Sequence, residues 1–149
     1  MLFSNPVKAL VEMRRPTGKV GALVWSSEEK NPYQGFPFAI VRRIGKLPAP
    51  TSGQPGLFTL GEPSLLEGVF SEAGFVEIVI HVVSLQRRFA STTEAIQSVK
   101  NPVLQQLIAK LSDAEREQAW EEISREWHRF EGPNGFEVPG EVLIAVGTK

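Results

Sequence analysis

Hydrophobic positions near the N-terminus change from helical to strand spacing within a short stretch of chain. Asn5 and Pro6 fit the N-cap and first position of a helix, because proline lacks the N–H group that would be unpaired there. The apolar face of this helix consists of Val7, Leu10 and Val11. A Pro-Thr-Gly turn follows. The run from Val20 to Trp25 contains no polar side chain, so both faces of a strand formed by it would be apolar. We therefore predict a strand that is covered on both faces.

The central part of the chain predicts two helices and one long strand. Tyr33 to Ile44 has helical spacing, and the Pro/Gly-rich residues 47–56 are predicted to be irregular. A short helix begins at Pro63 and ends at Gly74, which fits a left-handed cap. From Phe75 to Leu85, Val and Ile occupy both alternating faces. This pattern predicts a strand that is at least partly covered on each side.

The C-terminal part predicts three helices and a final strand. Ser91 to Glu94 and Ser112 to Glu115 fit the capping box, in which a hydroxyl and a carboxylate satisfy two amides at a helix start. Pro102 to Leu111 has helical spacing between them. The helix after Ser112 is predicted to bury Trp120, Ile123, Trp127 and Phe130. Glu131 to Gly135 is predicted to be a turn, and Val142 to Val146 a buried strand.

Composition narrows the class of protein. The chain has 149 residues, which predicts a single domain over residues 1–149. With 16 basic and 17 acidic residues, its net charge is -1, so no nucleic-acid or membrane partner is expected. The absence of cysteine excludes disulfides, thiolate metal sites and a cysteine nucleophile. A cytoplasmic location is expected, because no signal peptide or membrane-length apolar run is present.

Few residues are arranged for chemistry. His81 and His128 are far apart in sequence, so no metal site and no Ser-His-carboxylate triad is predicted. Glu28 and Glu29 follow the first strand at its C-terminal end, which faces the ligand crevice in open α/β sheets. Two interpretations of this pair remain open. It supplies a general base, or it belongs to a solvated loop.

Aromatic and polar residues around the end of the first strand are the candidates for substrate binding. Aromatic side chains supply flat apolar area, and some carry a polar group as well. The predicted substrate-binding residues are Trp25, Asn31, Pro32 and Tyr33. Packing between the loop and the next helix is the alternative interpretation. Arg42-Arg43 and Arg87-Arg88 either bind an anionic substrate or are surface charges.

The order of these segments resembles the second half of class I S-adenosylmethionine-dependent methyltransferases of the UbiE/COQ5-like (methyltransferase type 11-like) group. The resemblance is carried by the helix, turn and strand of residues 5–25, by the loop of residues 26–33, and by residues 75–89 and 138–149. Together they cover most of the chain. Because no single residue is diagnostic, the resemblance lies in the ordered set.

The resemblance implies a partial Rossmann-like α/β fold. Its sheet would be mixed and three-stranded, in the order first, last, middle, with helices packed on its faces. These residues would form the C-terminal, substrate-side half of the fold. The N-terminal half would carry the glycine-rich cofactor loop, which has no counterpart in the 149 residues. Phe3 and Ser4 would correspond to the end of the fourth strand, beside the cofactor.

The function implied is methyl transfer from S-adenosylmethionine to a small-molecule acceptor, with no catalytic residue assigned, because positioning alone can supply much of such a barrier. The isolated chain is expected to be inactive and not to bind the cofactor. The alternative is a non-enzymatic oligomeric interaction or small-molecule-binding module derived from a methyltransferase. In either case the edge of Val20–Trp25 is predicted to pair with a second copy or with the missing N-terminal half.

Overall fold

A computed structural model describes residues 4–15, 18–49, 55–99 and 101–149, so Phe3 lies outside the described residues. The described chain is of the α/β class, as predicted. Its six helices are α1 (Pro6–Arg14), α2 (Pro32–Ile44), α3 (Pro63–Glu72), α4 (Thr92–Gln97), α5 (Pro102–Ile108) and α6 (Asp113–Trp127). Its four strands are β1 (Lys19–Trp25), β2 (Val76–Phe89), β3 (Glu131–Gly132) and β4 (Gly135–Thr148).

The described strands form one antiparallel sheet. The order along its main path is β1-β4-β2, and β3 pairs separately with β4. In the β1–β4 pair, Ala22 lies opposite Ala145. The prediction of a three-stranded mixed sheet is therefore wrong in strand number and in strand direction. The additional strand arises because the predicted turn is a hairpin, in which Gly132 pairs with Gly135 across a two-residue loop.

Close contacts divide the chain into two units. Of the described residues, the first comprises 4–15, 18–30, 55–85 and 141–149, and the second comprises 31–49, 86–99 and 101–140. Strands β2 and β4 each contribute residues to both units.

The core of the first unit lies between α1, α3 and the sheet. Asn5 caps α1, because its Oδ1 accepts a hydrogen bond of 2.8 Å from the backbone N of Lys8. Leu10 on the same helix is buried together with Phe70 of α3 and Leu143 of β4. The prediction of the apolar face of α1 is thus correct for Leu10. It is wrong for Val11, which is 37% exposed.

The outward face of the strands in the first unit is exposed. Val20 and Val24 of β1 are buried, whereas Leu23 between them is 63% exposed. On β2, Val79 and Val82 point to opposite faces of the strand, and they are 49% and 54% exposed. The predictions that β1 is covered on both faces and that β2 is at least partly covered on each side are therefore wrong. Valine and leucine favour strands whether or not they are buried, so the apolar run does not report how many faces are covered.

The core of the second unit is built around α2 and α6. Helix α2 packs against α5 and α6, and α4 packs against α6. Val41, Leu104 and Ile123 are almost completely buried in these helices. Trp120 and Phe130, which were predicted to be buried, are only half-buried.

Two capping boxes were predicted, and one is complete. At the start of α6, Ser112 Oγ accepts from the backbone N of Glu115 at 3.3 Å, and Glu115 Oε2 accepts from the backbone N of Ser112 at 2.8 Å. These bonds hold the pKa of Glu115 below its ordinary value. At the start of α4 the Ser91 hydroxyl caps the helix, but the Glu94 carboxylate accepts from the backbone N of Ala90 instead.

Replacing the cap of α6 tests its contribution. We expect Ser112→Ala to lower the free energy of unfolding by about 1 kcal/mol, because the backbone N–H of Glu115 loses its acceptor at the helix start. Urea denaturation followed by far-ultraviolet circular dichroism measures this change. Ser112→Asp is the matched control, since aspartate retains the accepting oxygen, and it should remain close to the wild type. Equal midpoints for Ser112→Ala and the wild type would contradict the prediction.

Candidate functional site

Four aromatic rings of the second unit form a compact group around Tyr33, which we call the Tyr33 cluster: Tyr33, Phe89, Trp127 and Phe136. The Tyr33 ring stacks on Trp127 with centroids 4.8 Å apart, and on Phe89 with centroids 5.3 Å apart. Phe136 completes the group at 5.8 Å from Trp127 and 5.9 Å from Phe89. Near-parallel and tilted pairs at these separations suit the quadrupoles of aromatic rings.

The start of α2 fixes the position of Tyr33. Asn31 is fully buried, and its backbone carbonyl accepts from the N–H groups of Gln34 at 3.0 Å and Gly35 at 2.8 Å. Pro32 then occupies the first helical position, where its fixed φ angle suits a helix start. Tyr33 follows as the second residue of the helix and is 7% exposed. The Asn-Pro-Tyr sequence thus directs an aromatic side chain into the core of its unit.

Polar contacts hold the Tyr33 ring in one orientation. Its hydroxyl donates a hydrogen bond of 3.0 Å to the backbone oxygen of Ala95. The Arg87 guanidinium carbon lies 4.5 Å from the ring centroid, within the range of a cation–π interaction. Burial raises the pKa of the Tyr33 phenol, although the positive charge of Arg87 partly opposes this shift. At neutral pH the phenol is therefore protonated, so it acts as a hydrogen-bond donor and not as a base.

Trp127 contributes a second donor to the Tyr33 cluster. Its side chain is fully buried, and its indole Nε1 has no hydrogen-bond partner among the described residues. A buried N–H group without a partner costs about 1–3 kcal/mol. An acceptor atom brought within hydrogen-bond distance of Nε1 would remove that cost. The cluster is therefore a packed group of rings that contains one buried donor without a partner among the described residues.

A different group of residues lies at the C-terminal end of β1 in the first unit, and we call it the Glu141 cluster: Ser26, Lys30 and Glu141. Lys30 Nζ lies 2.9 Å from Glu141 Oε1, and the backbone N of Ser26 donates to the Glu141 carbonyl at 3.1 Å. The side chain of Ser26, which is 2% exposed, also hydrogen-bonds Glu141. These contacts tie the loop after β1 to β4.

The protonation states of the Glu141 cluster argue against proton transfer. The hydrogen bond from Lys30 holds the pKa of Glu141 below its ordinary value, and the same bond raises the pKa of Lys30. Both groups are therefore charged at neutral pH. A general base or acid works best when its pKa lies near the operating pH, and here both values move away from neutrality. The cluster is better suited to holding the loop than to catalysis.

The predicted substrate-binding residues fall in both units. Asn31, Pro32 and Tyr33 lie together at the start of α2 in the second unit. Trp25 is half-buried at the end of β1 and belongs to the first unit. Ser4, predicted to border the cofactor, is exposed just before α1. That these residues bind substrate or cofactor remains a prediction.

The two histidines lie on separate elements. His81 is exposed on β2. The Nδ1 atom of His128 lies 2.8 Å from the backbone oxygen of Ser124. Among the described residues, no group of His, Asp and Glu side chains is placed to hold a metal ion.

The paired arginines contact other residues of the second unit, although Arg43 and Arg88 remain exposed. Arg42 lies over Phe38, Arg43 pairs with Glu122, Arg87 lies over Tyr33, and Arg88 pairs with Glu137. The sequence did not indicate that Arg87 and Phe89 lie against Tyr33, or that Phe136 packs on Phe89. No spacing in the sequence indicates this grouping, because β2, β4 and α2 are distant along the chain.

Substitution at Tyr33 separates its hydrogen bond from its ring contacts. We expect Tyr33→Phe to lower the free energy of unfolding by about 1–2 kcal/mol, because the hydroxyl loses its hydrogen bonds to Ala95 and Arg87 while the ring contacts remain. Tyr33→Ala should cost about 3–5 kcal/mol, because a ring is removed from a packed core. Denaturant unfolding monitored by tryptophan fluorescence measures both. Equal costs for the two variants would show that the ring contacts contribute little.

The Glu141 cluster predicts a pH dependence of stability. The folded pKa of Glu141 lies below its ordinary value of 4.5, so the stabilisation is present above that pH. It is lost as the pH falls through the folded pKa, because the unfolded chain takes up the proton more readily. We expect Glu141→Gln to flatten the fall in stability below about pH 4.5. Thermal unfolding across pH 3–7 measures it, with Glu67→Gln on the exposed side of α3 as control. Parallel profiles for the wild type and Glu141→Gln would contradict the expectation.

Comparison with known proteins adds no relative. The chain matches no protein-family model and no curated protein sequence. In the described part of the chain, no helix is both long and apolar enough to span a membrane. The resemblance to methyltransferases therefore depends on the ordered set of residues in the sequence. Any further indication of function comes from the chemistry of the Tyr33 and Glu141 clusters.

Proposed function

We propose that the chain forms the acceptor-binding part of an S-adenosylmethionine-dependent methyltransferase that acts on a small, largely apolar molecule. The ordered segments that resemble the second half of this family support the proposal. The arrangement β1-β4-β2 supports it as well, because the resemblance implies a last strand between the other two. A partial Rossmann-like fold belongs to the same proposal.

The observation that carries the proposal is the Tyr33 cluster. Tyr33 stacks on Trp127 and Phe89 at 4.8 and 5.3 Å, and the indole N–H of Trp127, buried within this packed group, is a donor without a partner among the described residues. Ligand sites usually combine aromatic side chains with a few polar groups that fix orientation. The acceptor class that suits this chemistry is a planar, apolar molecule with one hydrogen-bond acceptor.

The residues of this chain do not fit the cofactor. No G-x-G-x-x-G sequence follows a strand, and that element binds the cofactor in related folds. Gly61 cannot replace it, because a Cβ atom placed there would lie 2.6 Å from the backbone oxygen of Ser26. Its α-carbon therefore packs against protein backbone. In this proposal the cofactor-binding part is supplied by other residues, either of a longer polypeptide or of a second chain.

The contribution of this chain to the reaction would be positional. Bringing two reactants into the correct geometry supplies about 7–11 kcal/mol in favourable cases, so no dedicated catalytic residue is needed. Tyr33 and Trp127 would orient the acceptor, and the surrounding rings would exclude water. The protonated phenol of Tyr33 and the ionised carboxylate of Glu141 are not assigned proton transfer.

A non-enzymatic module is the second candidate function. The exposed apolar side chains of β1 and β2 favour an interaction role, because large exposed apolar patches are characteristic of binding surfaces. In this alternative the Tyr33 cluster binds a small molecule without chemistry. The two candidates share the binding surface and differ in methyl transfer.

Titration of the 149-residue chain with S-adenosylmethionine tests the assignment of the cofactor site. We expect no measurable binding in isothermal calorimetry, because the glycine-rich loop is missing from these residues. A tight one-to-one complex would overturn that assignment and require an unusual site within the described residues.

Binding of 1-naphthol, a planar apolar probe with one oxygen, tests the acceptor site directly. We expect Tyr33→Ala to weaken binding at least about tenfold, since each tenfold change corresponds to 1.4 kcal/mol of lost contact. Tyr33→Phe is the matched control and should bind nearly as well as the wild type. Equal binding by Tyr33→Ala would remove the cluster as the acceptor site.

Methyl transfer distinguishes the two candidate functions. The polypeptide translated from the complete locus, together with proteins that co-purify with it, is assayed with radiolabelled S-adenosylmethionine and 1-naphthol or an apolar extract. Transfer that depends on Tyr33 supports the enzyme. Binding of the probe without transfer, by a protein that lacks a glycine-rich strand turn, supports the module instead.

A further inference from the structure

Strand β1 has an edge to which the described residues add no further strand. It stands at one end of the order β1-β4-β2. Two hydrogen bonds fix which residues face β4: the backbone N of Ser26 donates to Glu141 at 3.1 Å, and that of Lys149 donates to Gly18 at 2.7 Å. In an antiparallel pair, alternate residues bond the same neighbour. The N–H and C=O groups of Lys19, Gly21 and Leu23 therefore point away from β4.

The side chains at this edge form a projection and a gap. Leu23 is 63% exposed, whereas Val20 and Val24 face the core. Gly21 lies two residues before Leu23 and so shares its outward face. A Cβ atom placed on Gly21 would meet nothing closer than the Ala145 oxygen at 3.8 Å. An exposed leucine thus stands next to an open strip of backbone.

We infer that two copies of this chain pair through β1, antiparallel, about a two-fold axis at Ala22. In this register Leu23 of each copy lies opposite Gly21 of the partner subunit. Each such pair exchanges two N–H···O bonds, since both residues present their backbone groups to the free edge. A register centred on Gly21 or on Leu23 shifts the overlap and leaves part of Lys19–Trp25 unpaired.

The shape of the edge favours a second copy as the occupant. A two-fold interface requires a surface that is complementary to itself. The Leu23 projection and the Gly21 gap are equally spaced from Ala22, so one copy presents to the other what it receives. Pairing also covers the exposed leucine near the axis and satisfies backbone groups that would otherwise form a template for aggregation.

This inference goes beyond the proposed function and does not depend on it. A separate cofactor-binding part that adds a strand beside β1, as the family resemblance implies, would compete for the same edge. Self-pairing would then be displaced when such a part binds. A negative methyl-transfer assay would not contradict the pairing of β1. A monomeric chain would not contradict the proposal for the Tyr33 cluster.

Analytical ultracentrifugation of the 149-residue chain tests the pairing. We expect the wild type to sediment as a dimer at micromolar concentrations. Leu23→Lys should raise the dimer dissociation constant at least about tenfold, because it places like charges beside the axis, and charged edge residues oppose strand pairing. Leu65→Lys is the matched control, since Leu65 is 53% exposed on α3, and it should remain dimeric. Circular dichroism confirms that each variant is folded.

Three results would overturn the inference: a monomeric wild type at high micromolar concentration, a dimer unaffected by Leu23→Lys, or equal disruption by Leu65→Lys.

The register has its own test, because the chain contains no cysteine. Ala22→Cys should form a disulfide-linked dimer under mild oxidation, since paired residues on the axis lie about 4.5 Å apart between α-carbons. Val79→Cys, 49% exposed on β2, is the control and should remain unlinked. An unlinked Ala22→Cys dimer would exclude this register.

Discussion

The antiparallel pairing of β1 with β4 is the constraint on which the first unit depends. It runs along all of Lys19–Trp25 and turns Val20 and Val24 towards α1 and α3. Because side chains alternate along a strand, the same register directs Gly21 and Leu23 outward. A slip of one residue would exchange the buried and exposed sets. The core of the first unit and its exposed edge are thus two consequences of one register.

The second unit depends on a different kind of contact. Its centre is a set of rings in which Tyr33 stacks on Trp127 and Phe89 and is held by a hydrogen bond to Ala95. The stacked rings hold one another in a defined arrangement, and the polar groups at the margin orient the Tyr33 ring. Arg87 contributes at that margin through its position over the Tyr33 ring. The protonated phenol and the packed rings are not arranged for acid or base catalysis.

Local signals in the sequence were sufficient for most helix starts. The cap at Asn5, the prolines that open α2 and α3, and the box at Ser112 all act within one turn of chain, so their residues are adjacent in sequence. At Ser91 only one of the two capping-box hydrogen bonds forms, because the Glu94 carboxylate accepts from the backbone N of Ala90 and not from that of Ser91. Even there the helix begins where the hydroxyl predicts. The start of α2 at Asn31 and Pro32 follows the same kind of local signal.

By itself, the sequence determined the helix starts, the class of the fold and the absence of cysteine chemistry, because these follow from composition and from neighbours within a few residues. The tertiary structure alone decided which strand faces are covered. An apolar run such as that of β2 is compatible with burial or exposure, and only the packing of distant helices separates them. The tertiary structure also decided that Phe89 and Trp127 stack on Tyr33, since long-range contacts between strands and helices have no local signal.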